Sequence, residues 1–212
     1  FWLITALFCC VSFIKFLRCC CISRKNLTKE IIVNEAIALI NQDGYAKFTL
    51  QALSRHLDIK APSLYNHFKN LDEINVEVFK KLVNEYNAFK SAHIGGLRRE
   101  KAIWAYANAV REYSQTYPEQ FKLIILFPSL INNKEISIPV VISILMDILD
   151  QYAIGETQKY HFQRIFRSFM SGFITYERVG FFRNNDISKD ESYRFAIQTF
   201  ISALELEEIK NR

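Results

Sequence analysis

The chain has 212 residues, of which 50% are hydrophobic, with only 6 Gly and 4 Pro and a formal net charge of +5. This composition excludes an intrinsically disordered chain, and the length allows a sizeable core in one or two compact units. All five Cys lie within the first 21 residues, which excludes a disulfide-stapled or zinc-bound body. The scarcity of Gly and Pro, in long stretches without alternating apolar and polar residues, predicts an all-α protein.

The first 22 residues are largely apolar as far as Ile14, after which Lys15 and Arg18 interrupt the run. The apolar part is short for a membrane span, which needs about 20 residues, and it lacks the basic start and cleavage site of a signal peptide. We therefore expect residues 1–22 to be an apolar extension outside the fold, translated from DNA upstream of the true start. A membrane anchor with acylated cysteines and a packed N-terminal helix are the alternatives.

The next two segments predict a helical hairpin behind a first helix. Residues 24–42 have apolar side chains at helical spacing, and Gly44 ends this helix. Residues 49–68 read TLQALSRHLDIKAPSLYNHF. Thr49 is a suitable N-cap, Asp58 tolerates the left-handed conformation of a tight turn, and Pro62 opens a second short helix. This pattern predicts a helix-turn-helix with a polar outer face suited to the major groove of DNA, or else an ordinary helical hairpin.

Residues 61–74, APSLYNHFKNLDEI, resemble the recognition helix and the following helix start of TetR-type transcriptional regulators, and the resemblance extends over about residues 28–79. The chain departs from the family in Asp58, where Gly is usual, and in Lys60, where the family has a Ser or Thr cap. Lys60 places a cation where a phosphate is expected. With the spacing, the resemblance implies that base edges are contacted by Ser63 and Asn66, and phosphates by Thr49, Lys60, Tyr65, His67 and Lys69. Residues 24–70 carry seven Lys and Arg against four acids, a net +3.

The rest of the chain, from residue 69 onward, predicts a larger helical domain. A helix over residues 69–92 joins the head to the body, Gly95-Gly96 forms a hinge, and further helices follow over 97–117, 118–127, 136–152, 157–182 and 190–209. The stretch SFMSGFITYERVGFF resembles, more weakly, the C-terminal domain of a TetR subgroup. We therefore predict a DNA-binding head over residues 24–84 and a ligand-binding and dimerisation domain over residues 95–209.

Aromatic residues of the body give two further predictions. The family resemblance implies an apolar ligand pocket, and the candidates to line it are Trp104, Tyr113, Phe121, Met146, Phe169 and Phe173; a plain hydrophobic core is the alternative. The last two helices carry more apolar residues than one core face needs. We expect a dimer interface, a four-helix bundle, formed by Phe162, Phe166, Phe195, Phe200 and Leu204, unless both strips pack inside one subunit. We expect Glu177 at the surface, since ionised carboxylates are rarely buried unpaired.

The chain has no motif of a nucleotide-binding loop, a zinc protease or a serine hydrolase, and no cofactor, metal or catalytic residue is predicted. The predicted function is a cytoplasmic, sequence-specific DNA-binding transcriptional regulator. It would bind a palindromic double-stranded DNA operator as a homodimer, and as a repressor it would be released by a small apolar ligand. A helical protein-interaction module, attached to a membrane through the N-terminal segment, is the alternative.

Overall fold

The computed structural model describes residues 27–130, 138–183 and 186–211, so the extension predicted at residues 1–22 lies outside the described residues. All regular elements within these ranges are helical, and the all-α prediction is confirmed. The chain divides into two compact units between Val78 and Phe79, inside a long helix, whereas the sequence predicted a head extending to residue 84. No helix of the described ranges is long and apolar enough to cross a membrane.

The described part of the first unit contains four helices and a 3-10 turn: α1 (Lys29–Asp43), the turn (Tyr45–Lys47), α2 (Leu50–His56), α3 (Ala61–Leu64) and the start of α4 (Leu71–Ile94). Helix α1 packs against α2, and α2 packs against α3. The centre of the unit is apolar, with almost no exposed surface on Ile32, Ala36, Leu53, Leu64 and Ile74. This small core holds α2 and α3 in place.

Local caps set the helix boundaries of the first unit. The Thr49 hydroxyl accepts a hydrogen bond from the Ala52 N–H at 3.1 Å, and the Asn70 side chain accepts one from the Glu73 N–H at 2.9 Å. Gly44 ends α1 with φ 80°, a conformation that favours glycine. The two predicted helix boundaries at Gly44 and Thr49 are confirmed.

The second unit contains residues 79–94 of α4, followed by α5 (Arg99–Thr116), α6 (Pro118–Leu130), α7 (Ile138–Leu149), α8 (Glu156–Val179) and α9 (Lys189–Lys210). Helix α5 is central, since it packs against each of the four helices that follow it. Ala102, Ala107 and Ala109 are completely buried, and their small side chains allow this close approach. Helix α6 continues two residues past Pro128, where the sequence predicted its end.

Glu177 on α8 is half-buried with its carboxylate paired, so the prediction of a surface position is wrong. Its carboxylate accepts hydrogen bonds from Arg111 Nη2 at 2.6 Å and Arg111 Nε at 3.0 Å, and Lys189 Nζ lies 3.0 Å away. The Glu177 side chain is only 9% exposed. Hydrogen bonding from Arg111 holds the pKa of Glu177 below its usual range. Arg111 lies on α5, 66 residues away, and helical spacing on α8 cannot reveal such a partner.

A second ion pair fixes the beginning of α5. Arg99 adopts φ 52°, and its N–H donates a hydrogen bond to Gln151 Oε1 at 2.7 Å. The Arg99 guanidinium donates to both carboxylate oxygens of Glu208, at 2.6 and 3.3 Å. Glu208 also accepts a hydrogen bond from the Ala153 N–H at 2.9 Å. The start of α5, the connection between α7 and α8, and the end of α9 are therefore tied together.

Candidate nucleic-acid interface and ligand cleft

The turn between α2 and α3 has the geometry that the sequence predicted. Asp58 adopts φ 51°, the left-handed conformation, and the Ile59 N–H donates a hydrogen bond to the Ser54 carbonyl at 3.0 Å. Pro62 lies in the first turn of α3, where no donor is needed, and Lys60 provides no side-chain cap. The Phe68 N–H donates to the Leu64 carbonyl at 3.0 Å, so the chain remains turned beyond the end of α3.

Helix α3 and the turn that follows it are anchored on one face and exposed on the other. Leu64 and Phe68 are 1% and 2% exposed and pack into the core of the first unit. Tyr65 is 56% exposed, an unusual position for an aromatic side chain without a partner, and Asn66 beside it is also exposed. The outer face of the recognition segment is therefore polar and accessible.

Of the seven predicted DNA-contacting residues, six lie on this segment or directly beside it, and Thr49 lies at the start of α2. Six of them have side chains that make no hydrogen bond or ion pair with any described residue: Lys60, Ser63, Tyr65, Asn66, His67 and Lys69. The Thr49 hydroxyl caps α2 as an acceptor and keeps its own proton free to donate. Ser63 and His67 are half-buried, and the other five residues are exposed. The donors and acceptors of this face are available to a partner molecule.

Two acids of the first unit, Glu35 and Glu73, are engaged by other groups. His56 Nε2 lies 3.0 Å from Glu35 Oε2, which joins α2 to α1. Glu73 accepts hydrogen bonds from the Lys69 N–H at 2.7 Å and Lys29 Nζ at 3.4 Å, and chiefly the first of these holds the pKa of Glu73 below its usual range. Lys60 and Lys69 form no side-chain ion pair with a described residue, although the charge of Lys69 also helps to hold the pKa of Glu73 low.

The six residues predicted to line a ligand pocket do not surround one cavity. Tyr113 belongs to a buried aromatic cluster, with its ring 4.8 Å from that of Tyr86 and its hydroxyl donating to Gln120 at 2.8 Å. Phe169 and Phe173 pack against each other with ring centroids 5.6 Å apart. Trp104 is half-buried. The remaining two line cavities, Met146 a cleft and Phe121 a small hollow beside it.

The cleft has a volume of about 830 Å³ and lies within the second unit. Helices α6 and α7 contribute Ile125, Ser143, Met146 and Asp147, while α8 contributes Tyr160, Gln163, Arg164, Arg167, Ser168 and Ser171. The sequence analysis missed this polar row. The signal was present, because residues 163, 167 and 171, like 160, 164 and 168, recur every four residues along a helix that is otherwise rich in apolar residues.

A hollow of about 40 Å³ extends the cleft inward and shares Ile125, Arg167 and Ser171 with it. Its walls include Tyr86 and Tyr106, and against these two rings lies the Nζ of Lys90, 3.9 and 5.1 Å from their centroids.

Lys90 is completely buried, and its Nζ has no hydrogen-bond partner among the described residues. Burial, with a smaller contribution from Arg167, lowers the pKa of Lys90 to about 7. A signal for this position was also present in the sequence. An apolar stripe on α4 advances by four residues through Ile74, Val78, Leu82 and Tyr86, and its next position is Lys90.

An apolar groove of about 340 Å³ lies between α8 and α9. Ile165 and Phe195 line it and are 59% and 75% exposed, and Phe162 and Phe169 are half-buried in its wall. The other predicted interface residues are mostly enclosed by their own subunit, with exposures of 1%, 8% and 0% for Phe166, Phe200 and Leu204. The groove therefore brings together Phe162 and Phe195 at the surface and leaves Leu204 in the core.

Comparison with known proteins places both units in one family. Residues 32–78 match the family model described as "Bacterial regulatory proteins, tetR family", and residues 103–200 match "Tetracyclin repressor-like, C-terminal domain". The uncharacterized HTH-type transcriptional regulator YobS of Bacillus subtilis is 26% identical over 182 residues, which cover 85% of this chain and 94% of YobS. The biofilm operon icaADBC HTH-type negative transcriptional regulator IcaR of Staphylococcus epidermidis is 38% identical over 61 residues, 29% of this chain and 31% of IcaR.

Solved structures share the fold over most of the chain. BioQ of Mycobacterium smegmatis superposes with a TM-score of 0.65 at 20% identity, covering 85% of this chain and 99% of BioQ. A BioQ structure with its natural double-stranded DNA operator gives a TM-score of 0.61 at 19% identity, covering 84% of this chain and 98% of BioQ. With a helix-turn-helix head and a helical body that each match their own family model, the chain belongs to the TetR family of DNA-binding transcriptional regulators.

Proposed function

We propose that this protein is a homodimeric repressor that binds a palindromic double-stranded DNA operator and leaves it when a small molecule occupies the body. The observation that carries the proposal is the exposed recognition segment, where six polar or charged side chains have no partner among the described residues. Unpaired donors and acceptors on a helix that fits the major groove favour duplex DNA as the partner. Because that partner is DNA, we also propose a cytoplasmic location.

Within the recognition segment, we assign base contacts to Ser63 and Asn66, whose short polar side chains suit base edges. The exposed phenol of Tyr65 and the side chain of His67 are assigned to the DNA backbone. Phosphates are also assigned to the flanking residues Thr49, Lys60 and Lys69. Lys60 takes the place of a helix cap, so its ammonium adds a charge at the start of α3.

Dimerisation through α8 and α9 is supported by the apolar groove between them. Phe195 and Ile165 expose far more apolar surface than an isolated subunit needs, and contiguous exposed apolar surface commonly marks a protein interface. A two-fold axis through this groove would pair α8 and α9 with their copies as a four-helix bundle. Two heads related by that axis would read the two halves of a palindrome.

Small-molecule control is supported by the cleft between α6, α7 and α8, whose volume of about 830 Å³ suits a small ligand. The repressing sign is supported by the likeness to IcaR, a negative regulator, over 61 residues. Helix α4 joins the two units covalently, and we propose that it transmits ligand occupancy to the head.

The DNA-binding assignment is tested with an operator selected from random duplexes and measured by fluorescence anisotropy at several salt concentrations. Asn66→Ala should cost about 1–3 kcal/mol of binding free energy and relax the base preference at one position. Lys60→Ala should weaken all sequences alike and lower the salt slope by about one unit. Lys122→Ala, an exposed lysine of α6, is the matched control. Unchanged binding by both head variants would show that another surface contacts DNA.

The dimer is tested by sedimentation at micromolar concentration. The wild-type chain should sediment with twice the subunit mass, and Phe195→Glu should give monomers because it places a charge in the apolar groove. A wild-type monomer that protects only a half-site would contradict the dimer.

A further inference from the structure

We propose that the inner end of the cleft, where Arg167 faces the hollow in front of Lys90, binds the carboxylate of a small organic acid whose apolar part lies along the cleft. The inference rests on the proposed ligand-controlled regulator and names the chemical class of its ligand.

Two cationic side chains, Lys90 and Arg167, lie close together here, and neither has a counter-ion among the described residues. The Lys90 ammonium is completely buried without a hydrogen-bond partner, and Arg167 makes no ion pair or hydrogen bond within the described residues. Buried charges in folded proteins are normally paired, because desolvation of an unpaired charge is costly. A site that keeps two such groups together in the free protein is suited to an anion supplied from outside.

The described residues around Lys90 do not supply the missing negative charge. The charged and titratable groups that act on it are Arg167 from α8, Tyr86 from α4 and Tyr106 from α5. Burial raises the pKa of Tyr106 to about 12 and that of Tyr86 well above its usual value, so both phenols stay neutral near neutral pH. Contact with the two ring faces offsets only part of the desolvation of the ammonium.

The size of the site fits a carboxylate. A hollow of about 40 Å³ exceeds the roughly 10–15 Å³ that one water needs and suits a small planar group. The planar guanidinium of Arg167 can bind both oxygens of a carboxylate, and the Ser171 hydroxyl at the same place adds a donor. Lys90 would act from behind the tyrosine rings, through an interior where charges interact strongly.

The rest of the cleft defines the remainder of the ligand. Ile125 and Met146 offer apolar surface for a hydrocarbon or aromatic part. Asp147 on α7 would repel a second acidic group within the cleft. The expected ligand is therefore a monocarboxylic acid with an apolar body.

The test compares acids with alcohols of the same chain length, using the full chain and isothermal titration calorimetry. The wild-type protein should bind hexanoate and decanoate about tenfold or more tightly than hexanol and decanol. Arg167→Met should abolish this preference, and Lys90→Met should reduce it about threefold. Lys101→Met, an exposed lysine of α5, is the matched control and should bind like the wild type.

A second readout separates a functional lysine from a structural one. At pH 8 most of the Lys90 is neutral, because its pKa is lowered to about 7, and a bound carboxylate would draw a proton onto it. Decanoate binding measured in buffers of different ionisation enthalpy should show proton uptake by the wild type and none by Lys90→Met. Equal affinity for acids and alcohols, no binding of either, or an acid preference that survives in both variants would overturn the proposal.

Failure of the site and failure of the proposed function give different results. Labelled operator measured in the same solutions reports DNA binding independently of the calorimetry. If decanoate binds with the expected preference while the operator stays bound, the carboxylate site stands and ligand-controlled release fails. If the wild-type chain binds the operator but does not distinguish acids from alcohols, the site fails and the DNA-binding function stands.

Discussion

Arg111 on α5 and Arg167 on α8 both belong to the body, yet they end in opposite electrostatic environments. Arg111 lies 2.6 Å from a carboxylate oxygen of Glu177 and 2.6 Å from one of Asp190. Arg167 lies at the cleft without a carboxylate partner in the described residues and close enough to Lys90 to lower its pKa. Burial of a charge therefore does not by itself mark a ligand site. The absence of a fixed counter-charge does.

The two clusters are expected to affect stability in opposite directions. The Arg111 cluster joins α5 to α8 and to the start of α9, and breaking it would leave an uncompensated charge in the interior. The Lys90 cluster lowers the stability of the free protein, because a lysine must be either desolvated or deprotonated there. Four measurements of unfolding by urea, at one fixed protein concentration because the chain is proposed to dimerise, separate the two cases.

The largest effect should come from Glu177→Gln. This variant leaves the largely buried Arg111 guanidinium with one exposed carboxylate, and we expect it to lower the free energy of unfolding by about 3 kcal/mol. The measurement is the urea midpoint at pH 7, with an unchanged slope showing that the denatured state is unaffected. If Glu177→Gln were as stable as the wild type, the Arg111 cluster would not contribute to the stability of the fold.

Lys90→Met should act in the opposite direction and raise the free energy of unfolding by about 2 kcal/mol at pH 7. Methionine fills a similar volume without a charge, and replacing buried charges by apolar side chains is often stabilising. Urea unfolding of Lys90→Met beside the exposed-site control Lys101→Met measures the difference. A destabilised Lys90→Met would indicate that the ammonium supports the fold through its tyrosine contacts.

The same lysine predicts a pH dependence with a definite sign. The pKa of Lys90 is about 7 in the folded chain and 10.5 in the unfolded chain, so between these values the unfolded state binds more protons. Wild-type stability should therefore rise with pH in this window, by about 1 kcal/mol per pH unit, and stay at its lowest level below pH 7. The advantage of Lys90→Met should shrink between pH 7 and pH 9. Parallel stability curves for the two proteins would contradict a lowered pKa.

The smallest effect is expected for Asp190→Asn, which removes the second carboxylate from Arg111. Its side chain is 56% exposed, so solvent screens the interaction and the loss should be about 0.5 kcal/mol. Glu177 and Asp190 both pair with Arg111 but differ in exposure. Comparing the two variants in the same unfolding assay therefore measures how much burial of the carboxylate adds to the stabilisation. Equal losses from the two variants would show that burial is not what distinguishes them.

The sequence was informative about the head because its signals are local. Thr49 caps α2, Asp58 forms the left-handed turn, and Pro62 opens α3, each through the backbone of its own segment. Leu53 and Leu57, which lie four residues apart at helical spacing, are both buried. The body was less predictable, since the pocket expected around Trp104 and its neighbours divides among a core cluster, a cleft and a groove.

By itself the sequence determined the all-helical class, the helix-turn-helix with its polar outer face, and the helix break at Gly95-Gly96. These follow from spacing, capping and turn chemistry, which act over a few residues. Only the tertiary structure decided that Glu177 meets Arg111 and that Lys90 and Arg167 meet no carboxylate among the described residues. The physical reason is that the free energy of a buried charge depends on groups brought from distant helices, and helical spacing on one element specifies which face is buried but not which charge lies opposite.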